Sequence, residues 1–357
     1  MDILVTGGAG FIGGHLAESF ARDGHDVTVL DNLDPYYAVG IKRQNIELGR
    51  AAARESNSAG ADDTRVDGGQ TRLEYDETEV PASDTGGSYE FADGDVRNAD
   101  LVERLVADAD IVYHQAAQAG VRTSVDDPRK PNDINVDGTL NVLDAARKTD
   151  VERIVLASSS SVYGKPEYLP YDEAHPTTPV SPYGVSKLAG EQYARVYHEV
   201  YGLPTVALRY FTVYGPRMRP NMAISNFTAR CLNGEPPVVY GDGSQTRDFT
   251  YIDDIVGVNR TLMTDDSADG EILNVGSTGN IEIHTLAELI RDTIDPSLGL
   301  EYAEQPMGDA QHTHADVSKA RELVGYEPTT SIRQGVAQYI EWFRANRDWY
   351  EPLVLQS

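Results

Sequence analysis

The chain has 357 residues, is 40% hydrophobic and carries a formal net charge of −27, from 57 acidic and 30 basic side chains. This length suits one large domain with a smaller partner. So negative a surface repels phosphates and argues against DNA or RNA as a substrate, and the lack of any run of 18 apolar residues argues against a membrane span.

The charge balance has a second consequence, because only six of the 30 basic residues are lysines. Self-repulsion of this size destabilises a compact chain unless salt screens it. We therefore hypothesise a protein that works in high salt, as halophilic proteins do. The chain enters the apolar run Ile3-Leu4-Val5 without a basic leader, which predicts a cytoplasmic location.

Metal and disulfide chemistry is not expected. The one cysteine, Cys231, allows no intramolecular disulfide and no cysteine-rich site. His312 and His314 alternate, and no carboxylate–histidine cluster surrounds them.

In chain order, the first 160 residues alternate short apolar runs with helical patterns, which predicts a parallel sheet with helices on both faces, a doubly wound α/β fold. The predicted helices are Phe11–Asp23, Asp100–Ala107 and Asn132–Lys148. The predicted strands are Ile3–Val5, Val27–Leu30, Tyr89–Ala92, Ile111–His114 and Ile154–Ala157.

Residues 50–88 interrupt this alternation. They are rich in Ala, Ser, Gly, Asp and Thr and show little periodicity. We interpret them as a mobile acidic surface insertion.

The second half begins with a long predicted helix at Tyr183–Tyr201 and a strand at Thr205–Phe211. After Tyr214, Gly, Pro and Asn become frequent and the predicted helices are short. We assign residues 1–213 and 250–275 to the large domain, and residues 214–249 and 276–357 to a smaller one that closes over a ligand. The elements predicted here are helices at Met222–Asn233, Thr285–Thr293 and Ile332–Asn346 and a strand at Ile272–Val275.

The loop Thr6-Gly7-Gly8-Ala9-Gly10-Phe11-Ile12-Gly13 follows the first strand and opens the first helix. Gly7 allows a tight turn, Gly10 lets the backbone approach a pyrophosphate, and Gly13 lets the helix pack against the sheet. The helix N-terminus then presents its dipole and free N–H groups to phosphates. In this strand–turn–helix context the loop predicts a dinucleotide site.

Asp31, directly after the second strand, selects the cofactor. A carboxylate there accepts both ribose hydroxyls of adenosine and repels a 2′-phosphate, so NAD is favoured over NADP. Asp95, after the third strand, is placed where the adenine edge would lie.

Three motifs together carry a family resemblance: the glycine loop, Tyr183-Gly184-Val185-Ser186-Lys187, and the hydroxyl-rich run from Ser158 to Gly164. In order and spacing they resemble the extended short-chain dehydrogenase/reductases, NAD-dependent enzymes of the nucleotide-sugar epimerase/dehydratase type. The resemblance implies a Rossmann NAD-binding domain, a smaller C-terminal domain for the nucleotide sugar, and a homodimer built on the helix that bears Tyr183.

Tyr183 and Lys187 share one face of a helix because they are four residues apart. A phenol with an ordinary pKa near 10 is a poor base, and a nearby ammonium favours the phenolate. The resemblance makes Tyr183 the base that takes a proton from a sugar hydroxyl, with Lys187 also on the nicotinamide ribose. It makes Ser159 the hydroxyl that bonds the reacting oxygen.

Further roles come from the resemblance alone. Arg247 matches an arginine that binds the nucleotide diphosphate, and Asp309 a position near the nucleotide ribose. An arginine that often precedes that position is absent from Gln305-Pro306-Met307-Gly308. His114 is expected to be structural. The remaining residues expected around NAD are Phe11, Ile12, Asn32, Val96, Gln115, Ala116, Ala117 and Asn135.

Two serines reduce the number of reactions that we expect of this chain. Similar dehydratases and decarboxylases carry acidic residues shortly after the catalytic hydroxyl, where this chain has Ser160 and Ser161. Epimerisation at C4, through a 4-keto sugar, needs no such acid.

The substrate is indicated by two segments that resemble UDP-glucuronate 4-epimerases, Gln118–Arg122 and Arg209–Ala223. In the second, Thr212 stands where galactose-type enzymes usually have Asn, and Arg219 matches an arginine thought to hold the uronate carboxylate. Open alternatives are a 4-epimerase of UDP-glucose or UDP-N-acetylglucosamine, a UDP-glucuronate decarboxylase, and a non-catalytic NAD-binding protein.

Overall fold

A computed structural model describes residues 1–59, 87–277, 279–304 and 311–355. Its strands are β1 (Asp2–Thr6), β2 (Asp26–Asp31), β3 (Tyr89–Asp93), β4 (Ile111–His114), β5 (Arg153–Ser159), β6 (Thr205–Tyr210), β7 (Thr212–Tyr214), β8 (Val238–Tyr240), β9 (Thr246–Arg247), β10 (Phe249–Tyr251), β11 (Ile272–Val275), β12 (Ile281–Glu282) and β13 (Glu301–Ala303).

The helices are α1 (Phe11–Arg22), α2 (Val39–Ala59), α3 (Ala99–Ala107), α4 (Val121–Asp126), α5 (Arg129–Asn132), α6 (Gly138–Ala146), α7 (Pro182–Tyr201), α8 (Ala223–Leu232), α9 (Ile252–Thr261), α10 (Ile283–Ile294), α11 (Ser318–Val324), α12 (Ile332–Ala345) and α13 (Arg347–Leu355). A π-helical turn at Asp133–Asp137 joins α5 to α6, and a 3₁₀ turn at Ser160–Val162 follows β5.

The central sheet has seven strands in the order β11-β6-β5-β4-β1-β2-β3, and all of its pairings are parallel. The chain winds outward from β1 in both directions, so the strand order reverses between β1 and β4. In such sheets ligands bind at the carboxyl ends of the strands beside that reversal. The predicted doubly wound α/β fold is therefore confirmed.

The two faces of the sheet are covered by different helices because side chains alternate along each strand. Ile3 and Val5 belong to one apolar cluster with Leu16 and Phe20 of α1. Leu4 belongs to a second cluster with Val102 of α3 and others from α6. This alternation between two buried faces explains why the strands are continuous apolar runs.

The first of these clusters continues beyond the sheet into the C-terminal part of the chain. It includes Ile224 of α8, Leu286 of α10 and Phe343 of α12 together with Phe20 of α1. Short two-stranded pairings, β7 with β10, β9 with β12 and β8 with β13, shape this part. They bring the segments after β6 and around Arg247 to the same end of the large sheet.

Part of the predicted mobile insertion has regular structure. Residues 51–59, interpreted as part of a mobile insertion, continue α2, with Ala52 and Ala53 buried in the core. The interpretation is wrong for these residues because their high alanine content favours a helix. Gly87 and Ser88 lead directly into β3, and the rest of the predicted insertion lies outside the described residues.

The single helix predicted at Asn132–Lys148 is α5, the π-helical turn and α6 in succession. Among the described residues, no helix is both long and apolar enough to cross a membrane.

Candidate active site

A cleft of about 870 Å³ opens at the carboxyl ends of the central strands. It brings together nearly all of the residues that the sequence singles out. On the predicted cofactor side these are Gly7, Gly10, Phe11, Ile12, Gly13, Asp31, Asn32, Asp95, Val96, Gln115, Ala116 and Ala117, and on the predicted sugar side Ser159, Ser160, Ser161, Tyr183, Lys187, Thr212, Arg219 and Arg247.

Among the described residues, one predicted site residue does not line this cleft. Asn135 is buried behind it, where its side chain accepts from the Gln118 amide at 2.7 Å and donates to Ser186 Oγ at 2.9 Å. It therefore ties the loop after β4 to the helix that bears Tyr183, and its place among the cofactor-binding residues stays a prediction. Asp309 lies outside the described residues.

The glycine loop forms a cradle that a side chain would fill. A Cβ at Gly7, whose φ is +68°, would lie 2.6 Å from the Ala116 nitrogen, and a Cβ at Gly13 would overlap the Gly7 carbonyl. Gly10 caps α1 without a side-chain hydrogen bond to the free N–H groups of the first turn. Backbone N–H groups thus face the cleft without a covering side chain, which fits the pyrophosphate of NAD.

The end of the cradle predicted to hold the ribose contains Asp31, which is buried. Its carboxylate accepts the Leu33 amide at 2.8 Å and the Ala9 amide at 3.2 Å, and Lys42 Nζ lies 3.5 Å away. Lys42 partly neutralises the buried charge. The sequence reading missed this residue, since nothing local marks a lysine on α2 as buried.

Asp95 is held in place beside the ribose end. It accepts from Asn32 Nδ2 at 2.7 Å and pairs with Arg97 at 2.8 Å. The hydrogen bonds from Arg97 lower the pKa of Asp95 to about 2. The carboxylate at the predicted adenine side of the cleft therefore stays ionised.

His114 lies at the end of β4 and its ring bridges two hydroxyls, with Nδ1 2.7 Å from Thr6 Oγ1 and Nε2 2.9 Å from Thr139 Oγ1. Burial, and secondarily the charge of Lys187, lowers the pKa of His114 to about 3. A neutral, fully engaged imidazole is a structural bridge between β1, β4 and α6.

The reactive pair lies in the first turns of α7. Ser181 caps this helix by accepting the Gly184 amide at 3.1 Å, and Pro182 occupies its first turn, so its start is well defined. Burial raises the pKa of Tyr183, whereas the Ser159 hydroxyl and the charge of Arg219 lower it. Tyr183 is therefore a protonated phenol that nearby groups bias toward ionisation.

Lys187 is buried and donates to the Ala157 carbonyl at 2.8 Å. Burial lowers its pKa to about 8, although Glu191 counteracts the shift. Near neutral pH the ammonium remains charged inside the cleft, where a positive charge stabilises a phenolate.

A buried ion pair supports this face of α7. Glu191, one turn after Lys187, accepts two hydrogen bonds of 2.8 Å from Arg209 of β6 and one from Ser158 Oγ. Arg209 also donates to Tyr163 Oη at 2.9 Å. The pair thereby joins α7, β6 and the hydroxyl loop, and places Ser159 beside Tyr183.

The loop after β7 carries Arg219 and is tied to the glycine loop through Arg217. Arg217 has a left-handed φ of +60°, pairs with Glu18 of α1 at 2.5 Å and donates to Asn45 at 3.1 Å. Asn45 in turn donates to the carbonyl of Ala9 at 2.9 Å and to that of Gly10 at 3.0 Å.

Arg219 itself is half-buried and differs from Arg217 in its partners. Its guanidinium lies 5.7 Å from the centre of the Tyr36 ring and within 3.8 Å of Met222 Sδ. Among the described residues it forms no ion pair with a carboxylate. The cleft thus contains a cation that is available to an anionic ligand.

The far end of the cleft is formed by β9 and its neighbours. Arg247 donates to the carbonyls of Thr246 at 2.9 Å and Gln311 at 3.2 Å, so the observed guanidinium is engaged with backbone. Thr246 also contacts His312, whose Nδ1 is 3.1 Å from the threonine hydroxyl. Within the described part of the chain, no group of three His, Cys, Asp or Glu side chains could hold a metal ion.

Several lining residues were missed by the sequence reading, among them Tyr36, Tyr37, Tyr240 and Gln245. Tyr36 and Tyr37 follow the carboxyl end of β2, a position that faces the cleft in a doubly wound sheet. An aromatic pair there was a usable signal. Tyr240 and Gln245 lie in the short strands and turns of the C-terminal part, where no periodicity marks them.

Comparison with known proteins agrees with this geometry. Residues 3–276 match the model of the NAD dependent epimerase/dehydratase family. A putative UDP-glucose 4-epimerase of Methanocaldococcus jannaschii is 35% identical, over 96% of this chain and 99% of that protein. The UDP-glucuronate 4-epimerase of Thermodesulfobacterium geofontis is 33% identical, over 96% of each.

A solved structure is also similar along its whole length. It is a tyrosine-to-phenylalanine variant of UDP-glucuronic acid 4-epimerase from Bacillus cereus, in complex with UDP-4-deoxy-4-fluoro-glucuronic acid and NAD. It is 31% identical, with a TM-score of 0.83, over 97% of this chain and all of that one. The predicted family and cofactor are confirmed: the chain belongs to the NAD dependent epimerase/dehydratase family and is an NAD-dependent enzyme.

Proposed function

We propose that this chain is a UDP-sugar 4-epimerase whose substrate pair is UDP-glucuronate and UDP-galacturonate. The observation that carries the uronate assignment is Arg219, a half-buried cation without a carboxylate partner among the described residues, in the same cleft as Tyr183. The charge of Arg219 lowers the pKa of Tyr183, so the two groups interact within the cleft.

The chain's own residues account for the proton chemistry at C4. NAD supplies reversible hydride exchange with the C4 carbon. Tyr183 takes the proton of the C4 hydroxyl as its phenolate, and the charge of Lys187 stabilises that phenolate. Ser159 donates a hydrogen bond to the same oxygen. When the 4-keto sugar has rotated to present its opposite face, hydride would return to C4 on that face while Tyr183 returns the proton to the C4 oxygen, so that the C4 configuration is inverted.

The acids that line the cleft argue against dehydration. Among the described residues these are Asp31, Asp34 and Asp95, at or just beyond the ends of β2 and β3 and thus on the cofactor side. Ser160 and Ser161 occupy the sugar side, where a dehydratase would need a carboxylic acid. Without such an acid, the described part of the cleft offers no proton donor for the elimination that a dehydratase performs.

A uronate substrate brings a possible side reaction, decarboxylation, which Arg219 would suppress. The 4-keto uronate is a β-keto acid and loses CO2 when its carboxylate bond stands perpendicular to the carbonyl. A guanidinium that binds both carboxylate oxygens holds the group away from that geometry. The same contact raises the affinity for a charged sugar over a neutral one.

Epimerisation of a neutral UDP-sugar is the second candidate. The Methanocaldococcus jannaschii relative, a putative UDP-glucose 4-epimerase, favours it. The catalytic pair would serve either substrate, so only the role of Arg219 differs between the two assignments.

We also propose a homodimer. The exposed face of α7 carries a stripe of apolar side chains, including Val200 and Tyr201, which are 64% and 55% exposed. The other members are Val185, Tyr193 and Val196. Contiguous exposed apolar side chains favour burial against a second subunit, and sedimentation in high salt measures this directly.

Separate incubations with UDP-glucuronate and UDP-glucose in high salt, with products resolved by chromatography, test the substrate assignment. We expect UDP-galacturonate from the first and little product from the second. Turnover of UDP-glucose alone would transfer the assignment to the neutral-sugar reaction.

A further inference from the structure

We infer that Tyr36 is a specificity-determining residue, whose ring orients the Arg219 guanidinium toward the carboxylate of the sugar. The inference rests on the proposed function, because it concerns the same uronate site. Tyr36 lines the cleft and lies in the loop between β2 and α2, far from the segment that carries Arg219.

The contact between the two side chains has the geometry of a cation above an aromatic face. The Arg219 guanidinium carbon is 5.7 Å from the ring centre, within the range of about 6 Å in which the ring quadrupole attracts a cation. The ring has no net charge, so it holds the guanidinium without neutralising it. An acidic partner would instead compete with the sugar carboxylate.

The backbone that carries Tyr36 is fixed by its own side chains. Three backbone amides of the loop each donate a hydrogen bond to the side-chain oxygen two residues before them, and Lys130 of α5 pairs with Asp34 at 2.8 Å. Such Asx turns restrain the backbone. The Leu33 amide donates to Asp31 at 2.8 Å, the Asp34 amide to Asn32 at 3.0 Å and the Tyr36 amide to Asp34 at 2.9 Å.

The hydroxyl end of Tyr36 is fixed as well. It lies against Gly120, which has a φ of +107°, and a Cβ at Gly120 would overlap Tyr36 Oη. The ring is also edge-on to Tyr37, with 6.4 Å between ring centres. With its base, its edge and its tip all in contact, the ring is a rigid support for Arg219.

One loop therefore serves both ligands. Asp31, at the end of β2 where the loop begins, lies at the predicted ribose site of the cofactor. Tyr36, within the loop, contacts Arg219 at the proposed sugar site. A displaced guanidinium would bind the carboxylate less well and would leave it free to rotate.

That rotation has a defined chemical outcome. After C4 is oxidised by NAD, the C5–C6 bond breaks and C6 leaves as CO2. The bonding pair forms an enolate with the C4 carbonyl, and C5 then takes a proton from solvent. The products are CO2 and a UDP-4-keto-pentose, and the cofactor remains reduced.

The test compares Tyr36→Leu, which removes the aromatic face, with the matched control Tyr36→Phe, which keeps it. We measure kcat/KM for UDP-glucuronate, the CO2 released per turnover, and the affinity for UDP as a check that the site is intact. We expect Tyr36→Leu to lower kcat/KM about tenfold and to raise CO2 release, and Tyr36→Phe to remain close to the wild type.

Tyr36→Leu is also made in an Arg219→Met background, where loss of the ring should change neither kcat/KM nor CO2 release any further. If Tyr36→Leu matches the wild type, or if Phe and Leu are equally impaired, Tyr36 does not act through its ring and the inference is wrong. A wild-type protein that turns over UDP-glucose and not UDP-glucuronate would refute the proposed substrate, and this inference with it.

Discussion

Arg217 and Arg219 lie two residues apart on one loop, and their surroundings predict that the same substitution affects mainly stability at the first and mainly turnover at the second. Arg217→Met removes the partner of Glu18 and a donor to Asn45, whereas Arg219→Met removes a cation with no carboxylate partner in the described structure. We expect the first to destabilise the fold and the second to impair uronate turnover.

The magnitudes follow from the contacts. Breaking a buried ion pair costs about 3–5 kcal/mol. In the Arg217→Met variant Glu18 still pairs with Arg22, at 2.6 Å. We therefore expect the free energy of unfolding to fall by only about 2–3 kcal/mol. With an unfolding entropy of about 2.1 cal/mol/K per residue, this lowers the Tm by about 3 °C. Methionine and arginine bear the same backbone cost at a φ of +60°, so that contribution cancels.

For Arg219→Met, loss of the contact with Tyr36 costs about 0.5–1 kcal/mol of stability, which changes the Tm by about 1 °C. A hydrogen bond to a charged group is worth about 1.5–3 kcal/mol, so kcat/KM for UDP-glucuronate should fall about 10- to 100-fold. Turnover of a neutral UDP-sugar should fall much less, because there the variant loses only the effect of the Arg219 charge on the pKa of Tyr183.

Thermal unfolding followed by circular dichroism in molar salt, together with kcat/KM for both substrates, separates the two effects. Equal Tm losses in the two variants, or uronate activity retained by Arg219→Met, would contradict the roles assigned to these arginines.

Four further outcomes are expected. Tyr183→Phe should lower the epimerisation rate about 10²- to 10⁴-fold while NAD is still retained, and full activity would exclude Tyr183 as the base. Lys187→Met should unfold at a higher temperature than the wild type at pH 7, because burial holds the folded pKa of Lys187 near 8, below its value in the unfolded chain. Between these two pKa values the unfolded wild type binds more protons than the folded one, so wild-type stability rises with pH. The difference in unfolding temperature between Lys187→Met and the wild type should therefore shrink as the pH is raised through that window. Asp31→Ser should raise the preference for NADP over NAD about tenfold or more, because Lys42 stays beside the ribose site without the carboxylate, and an unchanged preference in the reconstituted apoenzyme would count against that placement. The net charge of −27 predicts a Tm that climbs steeply between about 0.1 and 2 M KCl, and a Tm independent of salt would contradict the halophilic hypothesis.

Much of the cofactor side was predictable because its determinants are local. The glycines of the first loop act through the backbone of their own turn, and Asp31 ends a strand whose neighbours are set by the alternation of strands and helices. Tyr183 and Lys187 are related by the helix repeat alone.

The contacts missed by the sequence reading join distant segments. Arg217 meets Glu18 across 199 positions of the chain, and Arg219 meets Tyr36 across a similar distance. Neither pair has a periodic or local signature, since each depends on how the loop after β7 folds back over the switch point. For the same reason Arg219 could be assigned to a carboxylate only through resemblance, and only the structure shows that no acidic side chain among the described residues pairs with it.

The helical course of residues 51–59 was missed for a different reason. The lack of periodicity across residues 50–88 favours an insertion, whereas the alanines at its start favour a helix, and Ala52 and Ala53 pack into the core.

The central claim, inversion at C4 of a uronate through a 4-keto sugar, is tested most directly with UDP-glucuronate deuterated at C4. We predict UDP-galacturonate that retains the deuterium at C4, because the hydrogen removed from that carbon is returned to it without meeting solvent. Product that has lost the deuterium to water, or no UDP-galacturonate at all, would contradict the account.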